Sequence, residues 1–151
     1  MFIGIKELER HKLTFREEFA PGTIDFRTGD FRQVAPLRVE LEAELAGAEI
    51  HLVGRLATRI ELTCARCLEP VGQDLAPSFD LLYRPVPRGG SSGEDEIALK
   101  PDNLEIGFYV DDGLFLGDVL AEQVHLALPM KVVCREECRG LCPGCGANLN
   151  R

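Results

Sequence analysis

Nowhere does this sequence hold the run of about 20 apolar residues that a membrane-spanning helix needs. It also lacks a signal-peptide core. Met1-Phe2-Ile3-Gly4-Ile5 is followed at once by Lys6, Glu7, Glu9 and Arg10, and nothing basic precedes the short apolar stretch. Basic residues are few beside acidic ones, 17 against 25, which argues against a broad phosphate-binding surface built from clustered Lys and Arg. Catalytic constellations are equally scarce. His11, His51 and His125 stand isolated, no Ser or Cys nucleophile comes with an obvious base, and no phosphate loop is present. The adjacent carboxylates Asp111-Asp112 suit a turn. These absences lead us to expect a cytoplasmic, non-enzymatic protein with no membrane segment and no small-molecule substrate.

What is present is an ordinary globular composition, 45% hydrophobic and 28% charged, in 151 residues. That length fits one domain, which we divide into a β-rich body over 1–130 and a cysteine-rich tail over 131–151. Residues 91–122 carry nine acidic side chains and one basic one, Lys100, so this segment accounts for the whole net charge of −8. It suits a basic protein partner, or serves as a solvated loop that aids solubility.

Two stretches alternate with period two, the pattern of strands with one buried face. Leu37, Val39, Leu41, Ala43 and Leu45 fall on odd positions; Ile50, Leu52, Leu56, Ile60 and Leu62 fall on even ones. Ala46-Gly47-Ala48-Glu49 reads as the hairpin turn between them. Paired residue numbers that sum to 95 set Glu44 opposite His51 and Glu40 opposite Arg55. A sum of 93 sets Glu44 opposite Glu49 and Arg38 opposite Arg55, so charge favours 95. Leu13, Phe15 and Phe19 suggest an earlier strand. Val71–Tyr83 suggests one or two more around Pro77, and Ile106–Val110 a short one before the Asp111-Asp112-Gly113 turn. Pro85–Glu96 reads as a mobile loop. One late helix is expected, with Asp118 as N-cap and Pro129 as its stop. The fold class is α+β: a mainly antiparallel sheet, one late helix and a C-terminal zinc-knuckle tail.

Six cysteines come as three pairs: Cys64 with Cys67, Cys134 with Cys138, and Cys142 with Cys145. Without an export signal, metal binding is a better reading than disulfides. Zinc takes four thiolates in a tetrahedron, and a Cys-x-x-Cys turn offers two of them with backbone N–H groups aimed at the sulfurs. Gly146 permits the left-handed backbone that completes such a turn, and Pro143 stiffens it. One ligand set is the tail alone, Cys134, Cys138, Cys142 and Cys145. The other joins Cys64 and Cys67 to one tail pair and closes a loop of roughly 70 residues. Spacing leaves both open. An iron–sulfur cluster also accepts four thiolates, and the knuckle-like turns favour zinc over it. A thioredoxin-like redox pair belongs at a helix start in a βαβ unit, and Cys64 instead follows a strand. Arg66 and Arg139 sit beside the thiolates, either balancing their charge or contacting RNA phosphate or a partner carboxylate.

The stretch Leu62-Thr63-Cys64-Ala65-Arg66-Cys67-Leu68-Glu69, then Glu122, Leu126-Ala127-Leu128-Pro129-Met130 and the ending from Cys138 to Asn150, resembles the YceD family of bacterial and plastid large ribosomal RNA subunit accumulation proteins. The resemblance spans most of the chain. It implies a role in the synthesis, processing or stability of large-subunit ribosomal RNA, carries over no catalytic residue, and does not settle the ligand set. Family members with a shortened tail lend some weight to a site using Cys64 and Cys67. Three functions are consistent with these features. The first is a ribosome-biogenesis factor acting through ribosomal or rRNA-processing proteins, the second direct binding of ribosomal RNA, and the third a thiolate-based metal or redox sensor.

Overall fold

The computed structural model describes residues 1–27, 29–86 and 106–151. They form nine strands and two helices. In chain order these are β1 (Phe2–Gly4), α1 (Ile5–Leu8), β2 (Leu13–Phe19), β3 (Arg32–Gln33), β4 (Leu37–Ala46), β5 (Glu49–Thr63), β6 (Pro70–Leu75), β7 (Ser78–Pro85), β8 (Ile106–Tyr109), β9 (Gly113–Phe115) and α2 (Leu116–Leu126). Among the described residues no helix is long and apolar enough to cross a membrane. The chain divides into two compact units, one built from 1–17, 39–55 and 78–120, the other from 18–38, 56–77 and 121–151.

In the first unit the strand order is β2-β4-β5-β7-β8. The alternation read from the sequence is the cause. Val39, Leu41, Ala43, Ile50 and Leu52 are at most 2% exposed, and the charged residues between them face out. Burying each such Leu or Ile stabilises the fold by roughly 1.5–3 kcal/mol. Gly47, at φ +66°, makes the two-residue turn between β4 and β5. The contacts expected for a register sum of 95 are both made: Glu44 lies 3.3 Å from His51, and Arg55 Nε donates to Glu40 at 2.9 Å. Gly54 interrupts the apolar row of β5 for a steric reason, because a Cβ there would meet Glu40 O at 2.6 Å and Leu41 Cβ at 2.7 Å.

Three features depart from the sequence expectation. The strand β8 joins β7 in parallel, so the sheet is mainly but not wholly antiparallel. The N-terminal apolar run forms β1, paired with β9 through Phe2↔Phe115, Ile3↔Leu114 and Gly4↔Gly113, with Ile3 fully buried. A short helix, α1, follows it. The late helix begins at Leu116, so Asp118 is not its N-cap and lies in the first turn, where an acid still favours the helix dipole. Leu116 N–H is satisfied by Met1 O at 3.0 Å, a partner outside the helix. Of the loop expected over 85–96, Pro85 closes β7; residues 87–105, and with them much of the acidic segment, lie outside the described residues.

In the second unit the far half of β5 pairs with β3 (Arg32↔Glu61, Gln33↔Ile60) and, in a hairpin, with β6 from Thr58↔Leu75 to Thr63↔Pro70. Buried Thr58 donates its hydroxyl to Ala35 O at 3.0 Å, so its polar atom is paired. The hairpin ends at the first cysteine pair.

His51 is held between two carboxylates, Nε2 at 2.6 Å from Asp80 and Nδ1 at 3.3 Å from Glu44. The bond to Asp80, more than the Glu44 contact, raises its pKa above the ordinary value, against a smaller effect of burial. A raised folded pKa contributes stability that is complete below the unfolded value near 6.5 and is lost as pH climbs through the folded one. The loss of Tm on His51→Gln is therefore expected to be larger at about pH 5.5 than at about pH 8.5. Thermal scans of both proteins at the two pH values check it, and an equal loss at both would show that the charge contributes nothing.

Candidate metal centre

Residues 64–69 are the loop of the β5–β6 hairpin. Cys64 N–H donates to Glu69 O at 2.8 Å, one step beyond the Thr63↔Pro70 pair, and Leu68 N–H returns to Cys64 O at 3.0 Å. This tight return needs a left-handed residue after the second cysteine, and Leu68 occupies it at φ +63°. The sheet thus presents Cys64 and Cys67 side by side at its end, and both are buried.

The second pair arrives from the segment after α2. Ala65 N–H donates to Val132 O at 2.8 Å, and Cys134 N–H to Cys64 Sγ at 3.3 Å. Arg66 fastens the two segments: its Nη1 donates to the carbonyls of Glu136 and Cys138, both at 3.0 Å. Val71 and Val133 pack against the sulfurs. Cys64 Sγ then lies 3.9 Å from Cys138 Sγ, and Cys67 Sγ 3.6 Å from Cys134 Sγ. All four sulfurs fall within 4.8 Å of one another, the one such group of metal-ligating side chains among the described residues. They are free thiols, too far apart for the roughly 2.05 Å of a disulfide. The edge of a tetrahedron with metal–sulfur bonds of about 2.3 Å is about 3.8 Å, which the two distances bracket. Four thiols at this spacing can hold a metal ion.

Electrostatics divides the four. The N–H groups of Cys67 and then Arg66 point at the Cys64 sulfur and hold its pKa at about 6 against burial. Cys138 is also lowered: burial, the largest single effect, opposes ionisation, but N–H donors from the Asn150 side chain and Gly140 together with the Cys134 and Cys67 sulfurs outweigh it. The Glu69 N–H favours the Cys67 thiolate, yet burial and the sulfurs of Cys64 and Cys138 raise this thiol overall. Cys134 is pushed up to about 12 by desolvation and then by its sulfur neighbours, although the residue as a whole is exposed. The N–H donors thus favour the thiolate at Cys64 and Cys138, whereas burial and neighbouring sulfurs disfavour it at Cys67 and Cys134.

Of the residues singled out from sequence, Cys64, Cys67, Cys134 and Cys138 come together here. Cys142 and Cys145 form a separate turn outside the group. Arg66 ties loop to loop, whereas Arg139 is exposed and meets the site through its backbone, donating its N–H to Asn150 Oδ1 at 2.9 Å. Sequence reasoning gave no role to Glu69, Gly140, Asn148 or Asn150. Asn148 Nδ2 donates to Glu69 at 3.0 Å, and Asn150 Nδ2 reaches Cys138 Sγ at 3.4 Å, so the last residues fold back over the cluster. Gly140, at φ +75°, passes so near the hairpin loop that a Cβ would stand 3.0 Å from Arg66 O. The signal for Asn148 and Asn150 was the Asn-Leu-Asn ending itself.

Against known proteins, the family model described as large ribosomal RNA subunit accumulation protein YceD matches residues 52–151, about two thirds of the chain and all six cysteines. The chain belongs to the YceD family. Its similarity to an uncharacterised protein of Mycobacterium bovis is 32% identity over 86% of this chain and 59% of the relative. Two plant relatives, from Zea mays and Arabidopsis thaliana, carry the name large ribosomal RNA subunit accumulation protein YCED homolog 1, chloroplastic. They are 29% and 26% identical over 87% and 81% of this chain, and over 51% and 44% of their own lengths. This YceD chain thus spans about half of the curated relatives it matches. No solved structure matches it.

Replacing Asn150 by Ala removes the donor to Cys138 Sγ. Outer-shell partners of metal ligands contribute about 10–100-fold in affinity, so Asn150→Ala is expected to weaken binding of a divalent metal by about tenfold. Competition with a chromogenic chelator measures it; unchanged affinity would show that the contact does not support the site.

Proposed function

We propose that Cys64, Cys67, Cys134 and Cys138 hold a structural zinc ion, and that the chain supports accumulation of large-subunit ribosomal RNA as a non-enzymatic factor in the reducing cytoplasm. The functional half rests on family membership, together with the names of the two plant relatives. The metal half rests on the four-sulfur cluster. An all-thiolate set selects soft ions over magnesium or calcium. Sulfurs within 4.8 Å suit a single ion better than a multi-iron cluster, whose sulfide-bridged core holds its ligands farther apart. With four sulfur ligands a structural site is closed, which favours a scaffold over a catalyst.

Protein partners are favoured over direct RNA contact. The net charge is −8, and the arginines of the sheet are engaged with acids: Arg16 and Arg55 with Glu40, Arg38 with Glu18, Arg59 with Asp74, Arg84 with Glu49. The Arg66 guanidinium is committed to two carbonyls of its own chain. That leaves few cations in an array that could track phosphates. A ribosomal or rRNA-processing protein with a basic surface fits the acidic balance.

In the native cell, removing the gene is expected to lower the ratio of large- to small-subunit ribosomal RNA, and a Cys64→Ser/Cys67→Ser copy is expected not to restore it. RNA quantification on all three strains is the check. An unchanged ratio on deletion would end the functional reading; full rescue by the double variant would end the claim that the cluster serves it.

A further inference from the structure

The turn left outside the cluster repeats the design of the one inside it. Cys64 N–H bonds to Glu69 O at 2.8 Å and Leu68 N–H to Cys64 O at 3.0 Å; Cys142 N–H bonds to Ala147 O and Gly146 N–H to Cys142 O, both at 2.8 Å. The first turn sits on the pair Thr63↔Pro70, the second on the antiparallel bridge Leu141↔Asn148. Leu68 at φ +63° has its counterpart in Gly146 at +72°. In each turn the N–H groups two and three residues on point at the first sulfur: Arg66 and Cys67 at Cys64, Gly144 and Cys145 at Cys142. The difference is what covers them. Cys64 and Cys67 are buried beneath Cys134 and Cys138, whereas residues 143–147 are exposed and the side of Gly144 where a Cβ would project is open, with only Cys142 Sγ, at 4.0 Å, nearby.

We propose that Cys142 and Cys145 are half of a second metal site, completed by the same two residues of a second copy of the chain. The proposal rests on the reading of the matching Cys64–Cys67 turn as a metal ligand pair. Two thiolates fill half of a tetrahedron, and among the described residues no third ligand joins them. A two-fold axis through the ion supplies the missing pair with no other partner, since a symmetric interface brings the same patch from each side. Charge permits the approach. Residues 141–150 hold no charged side chain, so two such turns can meet although each chain carries −8, and the exposed Arg139 flanks the segment as a counter-charge to the net −2 of one zinc among four thiolates, while Arg151 is paired with Glu69 at 3.0 Å. Binding releases the four thiol protons to solvent and oxidises nothing. The turn follows an isolated bridge and opens no helix, unlike a thioredoxin-type dithiol.

The test titrates zinc into the reduced full chain, with light scattering for mass and elemental analysis for metal. Wild type is expected to bind one ion per chain as a monomer, then to double in mass and saturate at three ions per two chains. The Cys142→Ser/Cys145→Ser variant is expected to stop at one ion per chain without doubling. Constant mass at saturating zinc, a second ion on each monomer, or doubling that persists in that variant overturns the proposal. A Cys64→Ser/Cys67→Ser variant separates the two readings. If it keeps the first ion, the buried-site reading fails, whereas if Cys142→Ser/Cys145→Ser changes neither mass nor metal, this one does.

Discussion

Four sulfurs held within 4.8 Å of one another are the constraint on which the second unit depends. As thiolates they repel strongly at this spacing; as thiols they present weak donors with little to bond. The surrounding N–H groups ionise Cys64 readily, and desolvation keeps Cys134 protonated. A cation bound among them would favour all four thiolates together. Because Cys64 and Cys138 are 74 residues apart in the chain, an ion that joins them also closes a long loop, and its binding free energy becomes folding free energy.

The two ends of that loop are unequally supported without the ion. The hairpin β5–β6 has a ladder of six residue pairs and the buried Leu56 and Ile60 behind it. Past α2 the chain has no strand or helix, and its buried apolar contribution is Cys138. What positions this segment is a set of hydrogen bonds to the cysteine turn: Ala65 to Val132, Arg66 to Glu136 and Cys138, and Asn148 to Glu69. Each contributes about 0.5–1.5 kcal/mol net, and about 1.5–3 kcal/mol where Arg66 or Glu69 takes part, and an ion held by the four sulfurs would add a further anchor for this segment. The exposed ion pairs across the first unit add less, since such pairs are worth about 0–1 kcal/mol each.

Much of the sheet was legible because burial of one face imposes period two, and the hairpin register followed from charges that had to avoid their like. The paired short strands β1 and β9 were not legible: three residues carry no period, and what makes Ile3 a core residue is a partner more than a hundred positions away. The start of α2 was misplaced for a related reason: the helix begins two residues before the expected Asp118 cap, at Leu116, whose N–H is satisfied by the distant Met1 carbonyl. In the candidate site, local pattern specified the turns and long-range packing specified their partners. The Cys-Pro-Gly-Cys-Gly turn was the plainest feature in the chain, and it forms with its left-handed Gly146, yet it lies outside the four-sulfur group. Leu68, with no glycine to announce it, takes the same conformation because the sheet beneath and the loop above over-determine it.

The metal assignment stands on one coordination sphere. X-ray absorption at the zinc edge, recorded on the Cys142→Ser/Cys145→Ser variant so that only the buried group contributes, reads it directly. Four sulfurs at about 2.3 Å is the predicted shell. A shell mixing sulfur with oxygen or nitrogen, or no bound zinc at all, would contradict the assignment of Cys64, Cys67, Cys134 and Cys138.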